Sequence, residues 1–207
     1  MNREIGNKNF KIWLLGDSEP QNWKKKLENP LDDRHPIVHN IWTPIIDKIQ
    51  CSFYKNDRSR IDSDKIFIRN AVDNPKYKPK SNEKKWNDKN LIKNISEYKE
   101  LIFKHKPILI LTFGSFAFEF GRRCFAENPE YSFSYWGAKK LGEEFLLRLN
   151  KFSINKSNLV PLLHRSIAGG RFIKSHNYFC DKENANYFKY VAEKLYEKLK
   201  DIKDIKI

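Results

Sequence analysis

Four short, mostly apolar runs constrain the fold of this chain more than any other feature. They read KIWLLG at residues 11–16, KIFIRNAV at 65–72, PILILTFG at 107–114 and NLVPLLH at 158–164. Each has the length of a buried strand and leads into a polar or glycine-bearing segment. Apolar runs of this kind are typical of strands covered on both faces, so the four indicate one mostly parallel sheet.

Helical spacing fills the intervals between these runs. Apolar residues three and four positions apart predict an amphipathic helix over residues 38–49, and Pro44 predicts that its regular part begins near Thr43. SFAFEFGRRCF predicts a helix after the third strand, and another is expected from about Asn184 onward. Residues 73–90 are polar and basic with two prolines, which predicts a long loop. A further helix is expected through Leu91, Ile95, Tyr98 and Ile102.

Strands that alternate with helices predict an α/β fold, a three-layer α/β/α sandwich around a central, mostly parallel four-stranded sheet. With 207 residues the chain is long enough for one sizeable core, and we expect a single domain over residues 1–207. No apolar run reaches the length of about 18 residues that a membrane span needs. The first residues, MNREIGNKNFKIW, contain no apolar segment of signal-peptide length. We therefore expect a cytoplasmic protein, and a monomer.

The charge indicates the class of partner. Lys and Arg number 40 against 26 Asp and Glu, which gives a net charge of +14. A field of this sign favours polyanions such as nucleic acids, although a lysine-rich genome would produce it too. The three cysteines (Cys51, Cys124 and Cys180) are scattered and too few for a disulfide framework or a four-cysteine cluster. No metal or other cofactor is expected.

Polar clusters follow all four strands. GDSEPQNW follows the first, RNAVDNP the second, GS the third and HRSIAGG the fourth. Ligands of open α/β sheets bind beyond the carboxyl ends of the strands, so these clusters are expected in one crevice. Singly, Asp17, Glu19, Asn70 and His164 each have an ordinary explanation as a turn residue, a surface charge or a strand-end residue. Their common position favours a functional site.

The same segments resemble the motifs of the uracil-DNA glycosylase superfamily over roughly residues 11–190. LLGDSEP is similar to the family's first strand and its water-positioning loop, and IFIRNAV to the strand that carries the base-reading asparagine. ILILTFGSFA is similar to its strand, glycine, small residue and alanine segment. HRSIAGGRFIKSHNYF has the order of the family's closing motif, a histidine with an intercalating loop and a basic aromatic stretch, and it is the most specific of the four.

The resemblance implies a role for each matched residue. Catalysis is expected from His164, which would stabilise the departing base, and from Asp17 or Glu19, which would position the attacking water. The expected wedge in the DNA is Ile167, with Phe172 as the alternative. Base contacts are expected from Gly16, Ser18, Gln21 and Asn70. DNA contacts are expected from Ser115, Arg165, Ser166, Ile167, Arg171, Phe172 and Lys174, and residues 76–85 either extend this contact or are simply solvated.

The chain departs from the family pattern at three places. Its first loop is one residue longer than usual, so a carboxylate stands both directly after the glycine, as Asp17, and directly before the proline, as Glu19. Asp17 is the preferred water-positioning residue, because Glu19 requires the extra residue to be absorbed. Gln21 stands where the best-known members have a tyrosine that blocks the C5 side of the base. Arg165 replaces the proline that follows the histidine.

The function implied is that of a monofunctional DNA glycosylase that flips a base out of DNA and hydrolyses its N-glycosidic bond. The altered pocket favours a bulky or modified base, such as a C5-modified pyrimidine of phage DNA, over uracil, and deaminated purines are a further possibility. The alternative from another class is a non-catalytic, basic DNA-binding module of the same fold. An enzyme acting on free nucleosides is a third hypothesis, which the net charge disfavours.

Overall fold

A five-stranded sheet forms the centre of the protein in the computed structural model, which describes residues 3–19, 27–34, 38–164, 175–180 and 186–207. The strands lie in the order β1-β3-β2-β4-β5. The strand β1 runs antiparallel to β3, and the other four strands are parallel to their neighbours. The strand bounds are Glu4–Ile5 (β1), Ile12–Gly16 (β2), Phe67–Asn70 (β3), Leu109–Phe113 (β4) and Asn158–Leu162 (β5).

The sheet has five strands, whereas four were predicted. The additional strand, β1, has only two residues. A segment this short cannot show a hydrophobic period, so no pattern in the sequence indicates it. Contacts outside the segment hold it in place: Glu4 pairs with Arg69 in the ladder, and their side chains form an ion pair at 3.5 Å. The four strands that the apolar runs predict are all present.

Five α-helices flank the sheet in the described ranges. Pro44 lies in the first turn of α1, as predicted, and a π-helical turn over Val38–Trp42 precedes it. The helix α4 is absent from the predictions, although its buried Leu141, Phe145 and Leu149 recur every fourth residue. The helix bounds are Thr43–Asp57 (α1), Lys89–His105 (α2), Gly114–Cys124 (α3), Ala138–Asn150 (α4) and Tyr187–Leu199 (α5).

Helices and sheet share one apolar core. α1 packs on α5, α2 packs on α3, and both α3 and α4 contact β5. Trp13 on β2 is fully buried, and its ring lies 4.7 Å from the ring of Phe67 and 5.9 Å from that of Tyr98. The architecture is α/β with a mostly parallel sheet and is compatible with the three-layer sandwich. No helix in the described ranges is long and apolar enough to cross a membrane.

The parallel strands give the sheet two distinct edges. Because β2, β3, β4 and β5 point the same way, their last residues lie along one edge, here named the carboxyl edge. Their first residues lie along the opposite, amino edge. The loop over residues 73–88, with one short 3₁₀ turn at Pro75–Tyr77, returns from the end of β3 to the start of α2.

Candidate active site

The strand register brings the predicted site residues to the carboxyl edge. Gly16 pairs with Asn70 across β2 and β3, and Phe113 pairs with Leu162 across β4 and β5. One or two residues further along these strands come Asp17, Gly114 and His164. The first residues after β2, β4 and β5 therefore lie on one side of the sheet.

Two glycines, at the ends of β2 and β4, leave space for polar side chains from the neighbouring strands β3 and β5. A Cβ atom on Gly16 would lie 2.4 Å from Oδ1 of Asn70, so only glycine leaves space for that amide. Gly114 has a φ of +83°, and a Cβ there would lie 2.6 Å from Cβ of His164. Asn70 and His164 thus lean toward the middle of the sheet from its two sides.

The spacing of the strands sets the width of the site. Asp17 follows β2 and His164 follows β5, with β4 between them. Two strand spacings separate the ends of these strands by about 10 Å, which leaves room for a flat base between the carboxylate and the imidazole. The helix α3 begins at Gly114, between them, so the free N–H groups of its first turn also face this edge.

A buried tyrosine on α5 fixes the backbone at the end of β5. The hydroxyl oxygen of Tyr187, on α5, accepts a hydrogen bond of 2.9 Å from the backbone N–H of Leu163, the residue before His164. The ring of Tyr187 is fully buried, and burial raises the pKa of its hydroxyl above the ordinary value. The same ring stacks on His176 with centroids 4.9 Å apart. The last helix therefore fixes the backbone that presents the histidine.

Lys78 is a site residue that the sequence analysis missed. Its Nζ lies 2.7 Å from Oδ1 and 2.8 Å from Oδ2 of Asp17. The two side chains are 25% and 24% exposed, so the pair is partly screened from water but reachable from the edge. The backbone of Asp17 is fixed as well, because its carbonyl accepts from Val72 N–H at 3.3 Å. The carboxylate that follows β2 therefore has a cation as its closest partner.

A short turn explains why this lysine points inward. The side chain of Asn74 accepts a hydrogen bond from Lys76 N–H at 3.0 Å and begins the turn Pro75–Tyr77. Lys78 follows the turn, and its Nζ lies 4.9 Å from the ring centroid of Phe116 and 6.0 Å from that of Phe133. Aromatic rings attract a cation at these distances. Asp17 and the two rings together hold Lys78 at the site.

Glu19 has a different environment from Asp17. Its Oε1 accepts a hydrogen bond of 3.1 Å from the backbone N–H of Leu27. Ser18 donates to the carbonyl of Glu19 at 3.3 Å. Glu19 is therefore not the solvated charge of the simplest interpretation. Its carboxylate already has a backbone partner in Leu27.

The segment behind Ser115 is organised by one buried carboxylate. Ser115, a predicted DNA contact, donates its hydroxyl to the carbonyl of Trp136. Glu119, with no exposed surface, accepts from Trp136 Nε1 at 2.7 Å and from Arg122 Nη1 at 2.8 Å. It also accepts from the backbone N–H of Tyr131 at 3.0 Å. Glu119 thereby fixes the aromatic segment that forms one wall beside Lys78.

Several predicted residues lie outside the described ranges. They are Gln21, Arg165, Ser166, Ile167, Arg171, Phe172 and Lys174. The predicted roles of these residues in base recognition, phosphate contact and intercalation remain predictions. Of the predicted site residues, the structure describes Gly16, Asp17, Ser18, Glu19, Asn70, Ser115 and His164.

A separate cleft of about 440 Å³ lies at the amino edge, where Asn158 and Leu159 begin β5. Arg122 and Arg148 line it, and both form ion pairs with Glu127, at 3.1 Å and 2.6 Å. Burial alone would raise the pKa of Glu127, but the two arginines outweigh it and lower that pKa. The two arginines are thus paired, whereas Lys151 and Lys156, which also line the cleft, form no ion pair among the described residues.

Within the described ranges, no three His, Cys, Asp or Glu side chains lie close enough together to bind a metal ion. Comparisons of the chain with protein-family models and with curated proteins find no match. The chemistry of the carboxyl edge is therefore the basis for a functional hypothesis.

Proposed function

We propose that the protein is a DNA glycosylase of the uracil-DNA glycosylase type, acting as a cytoplasmic monomer. It flips a base out of DNA, hydrolyses the bond between base and sugar, and leaves an abasic site. The observation that carries the proposal is the convergence of Asp17, Asn70 and His164 at one sheet edge, with Gly16 and Gly114 leaving space beside them. The net charge of +14 supports a polyanionic substrate.

The proposed reaction assigns a separate task to each polar group. Cleavage of the N-glycosidic bond builds positive charge on the sugar and negative charge on the base. Asp17 orients a water molecule toward C1′, favours the cationic sugar and takes the proton of the attacking water. His164 donates a hydrogen bond to a carbonyl oxygen of the leaving base, and one such donor is typically worth about 3 kcal/mol in the transition state.

Asn70 reads the edge of the flipped base in this proposal. Its amide offers both a donor and an acceptor, and a base that leaves either unpaired is rejected. Asp17, rather than Glu19, is the proposed water-positioning residue, since the Glu19 carboxylate already accepts a hydrogen bond from the backbone N–H of Leu27. The proposed substrate is uracil or, more in keeping with the altered first loop, a C5-modified pyrimidine such as those of phage DNA. Removal of such a base would be a defence against phage.

The test incubates the protein with ordinary, uracil-containing and phage-derived modified DNA, and identifies any released base by mass spectrometry. Release of one base is expected from the wild type and from a Glu19→Gln variant. Loss is expected in Asp17→Asn and His164→Ala. His105→Ala is the matched control, because His105 ends α2 at the amino edge. If no DNA releases a base while binding stays tight, the non-catalytic binding module replaces the proposal.

A further inference from the structure

The pair of Asp17 and Lys78 conflicts with the chemistry proposed for Asp17. A carboxylate that stabilises a cationic sugar acts through its negative charge, and a lysine within 2.8 Å of both its oxygens opposes that action. If Asp17 is to stabilise the cationic sugar with its full negative charge, the ion pair seen in the free protein must break when the substrate is bound. Either Asp17 has no such role, or Lys78 moves to another anion when the substrate binds.

DNA supplies that anion at the required place. Every nucleotide in a strand carries phosphates on both sides of its sugar, so a sugar that reaches Asp17 brings a phosphate close to it. Lysine binds phosphate as a point charge, and a backbone phosphodiester, with one negative charge shared by two non-bridging oxygens, equals a carboxylate in charge. The Lys78 ammonium is 25% exposed and can therefore be reached by a phosphate from the edge of the sheet.

The loop that carries Lys78 favours the binding of a DNA strand along the carboxyl edge. Lys76 and Lys80, two positions away on either side, are exposed and form no ion pair among the described residues. The loop is also firmly anchored, since Arg123 donates to the carbonyl of Lys84 at 2.7 Å and its guanidinium lies 3.9 Å from the ring centroid of Trp86. A fixed loop that directs unpaired lysines outward offers the phosphates a preformed track leading to Lys78.

We propose that Lys78 is a positioning residue that exchanges Asp17 for a DNA phosphate beside the flipped nucleotide. In the free protein the lysine partly neutralises the carboxylate. Binding of the strand transfers the ammonium to the phosphate and leaves Asp17 free to orient water. The catalytic carboxylate is thereby activated by DNA and not by a free nucleoside. The regulatory role rests on the proposed glycosylase function, whereas the phosphate contact itself does not.

The first test measures binding, so that it works whether or not a base is released. Lys78→Met keeps an apolar stem against Phe116 and Phe133 but removes the charge. Each phosphate contact contributes about 0.9 to the slope of log K against log salt for duplex DNA. We expect Lys78→Met to lower the magnitude of that slope by about 0.9. Lys106→Met at the amino edge is the matched control and should leave the slope unchanged.

A DNA with one neutral methylphosphonate beside the target nucleotide locates the contact. This change should lower the slope for the wild type and for Lys106→Met, and should have no further effect on Lys78→Met. An unchanged slope for Lys78→Met on unmodified DNA means that the lysine stays on Asp17, which overturns the proposal. Equal sensitivity of all three proteins to the methylphosphonate does the same.

Catalysis gives the second readout. The methylphosphonate should lower kcat of the wild type about tenfold or more, a size expected when a positioned charge is lost, and should leave kcat of Lys78→Met unchanged. On a free deoxynucleoside, Lys78→Met should be faster than the wild type, because its Asp17 is never neutralised. If the wild type releases no base from any DNA, the proposed function fails, while the slopes still decide whether Lys78 binds phosphate.

Discussion

Gly114 shows how a residue without a side chain can determine the position of His164, the proposed catalytic histidine. Its φ of +83° is unfavourable for any residue with a Cβ, by about 1–2 kcal/mol. The contact of 2.6 Å that a Cβ would make with His164 adds a steric conflict to this cost. The position therefore couples the stability of the β4–α3 turn to the placement of the imidazole.

We expect Gly114→Ala to be destabilised by about 1–2 kcal/mol or more and to lose base release by a larger factor than this loss explains. Urea unfolding and single-turnover release of the base measure the two effects. Gly137→Ala is the control, since no atom lies within 4 Å of a Cβ there and its φ is not positive. Wild-type activity in a destabilised Gly114→Ala would show that His164 need not occupy this position.

Glu119 makes a prediction about stability rather than activity. Its carboxylate is fully buried and holds Arg122, the Trp136 indole and the backbone of Tyr131. Removal of one partner from a buried ion pair leaves an uncompensated charge and typically costs about 3–5 kcal/mol. Glu119→Ala should show a loss of this size in urea unfolding. Glu130→Gln, which removes an ion-paired carboxylate that is 53% exposed, should lose about 1 kcal/mol at most.

The candidate site shows which residues a sequence can reveal. Asp17, Asn70 and His164 follow recognisable strands, and the parallel register carries them to one edge without further information. Lys78 could not be found in this way. It contacts a residue 61 positions away, and nothing in KYKPK distinguishes it from Lys76 or Lys80. Its inward direction depends on a turn that only the folded chain defines.

At the scale of elements, the same contrast separates β1 from α4. The four central strands were predictable because each is a continuous apolar run. β1 was not, since its two residues are held by pairing with β3. α4 carried a usable signal in Leu141, Phe145 and Leu149, which repeat at helical spacing and are buried. Its absence from the prediction was an omission, whereas β1 depends on tertiary structure.

The C-terminal segment is attached to the end of α1 through the carboxylate of Asp57. Asp57, at the end of α1, accepts from Lys206 Nζ at 2.7 Å and from the Tyr196 hydroxyl at 2.6 Å. These two hydrogen bonds lower the pKa of Asp57. The hydrogen bond that Tyr196 donates to Asp57 raises the pKa of Tyr196 to about 12. Backbone hydrogen bonds between Arg60 and Ile207 accompany them. The segment is thus attached to the end of α1 by several polar contacts.

This attachment should weaken in acid. Because the folded pKa of Asp57 lies below its unfolded value of about 3.9, its stabilisation is complete above that pH and is lost as the pH falls through the folded pKa. Asp57→Asn should therefore be less stable than the wild type at neutral pH, and the difference should decrease as the pH falls from the unfolded value through the folded pKa. Urea midpoints over this range measure it. Asp47→Asn, which changes an exposed carboxylate on the same helix that forms no ion pair among the described residues, is the matched control.

At the scale of the whole molecule, the distribution of charge separates a DNA-binding protein from one that is merely rich in lysine. A net charge of +14 alone is compatible with both. Two sets of four exposed lysines, none of which forms an ion pair in the described ranges, can be compared. One lies on the loop beside the carboxyl edge and comprises Lys76, Lys80, Lys84 and Lys85. The other lies on α2 and the loops near the amino edge and comprises Lys99, Lys104, Lys106 and Lys156.

Exchange of either set for glutamine lowers the net charge equally, so any difference between the two variants reports position alone. If DNA crosses the carboxyl edge, the loop variant loses phosphate contacts, each worth about 0.9 in the salt slope of binding. We expect the loop variant to bind more weakly with a slope lower by about 2–4, and the amino-edge variant to bind nearly as the wild type does. Fluorescence anisotropy over a range of salt concentrations measures both. Equal losses of affinity in the two variants would mean that only the total charge matters, and that no particular face of the protein binds the DNA.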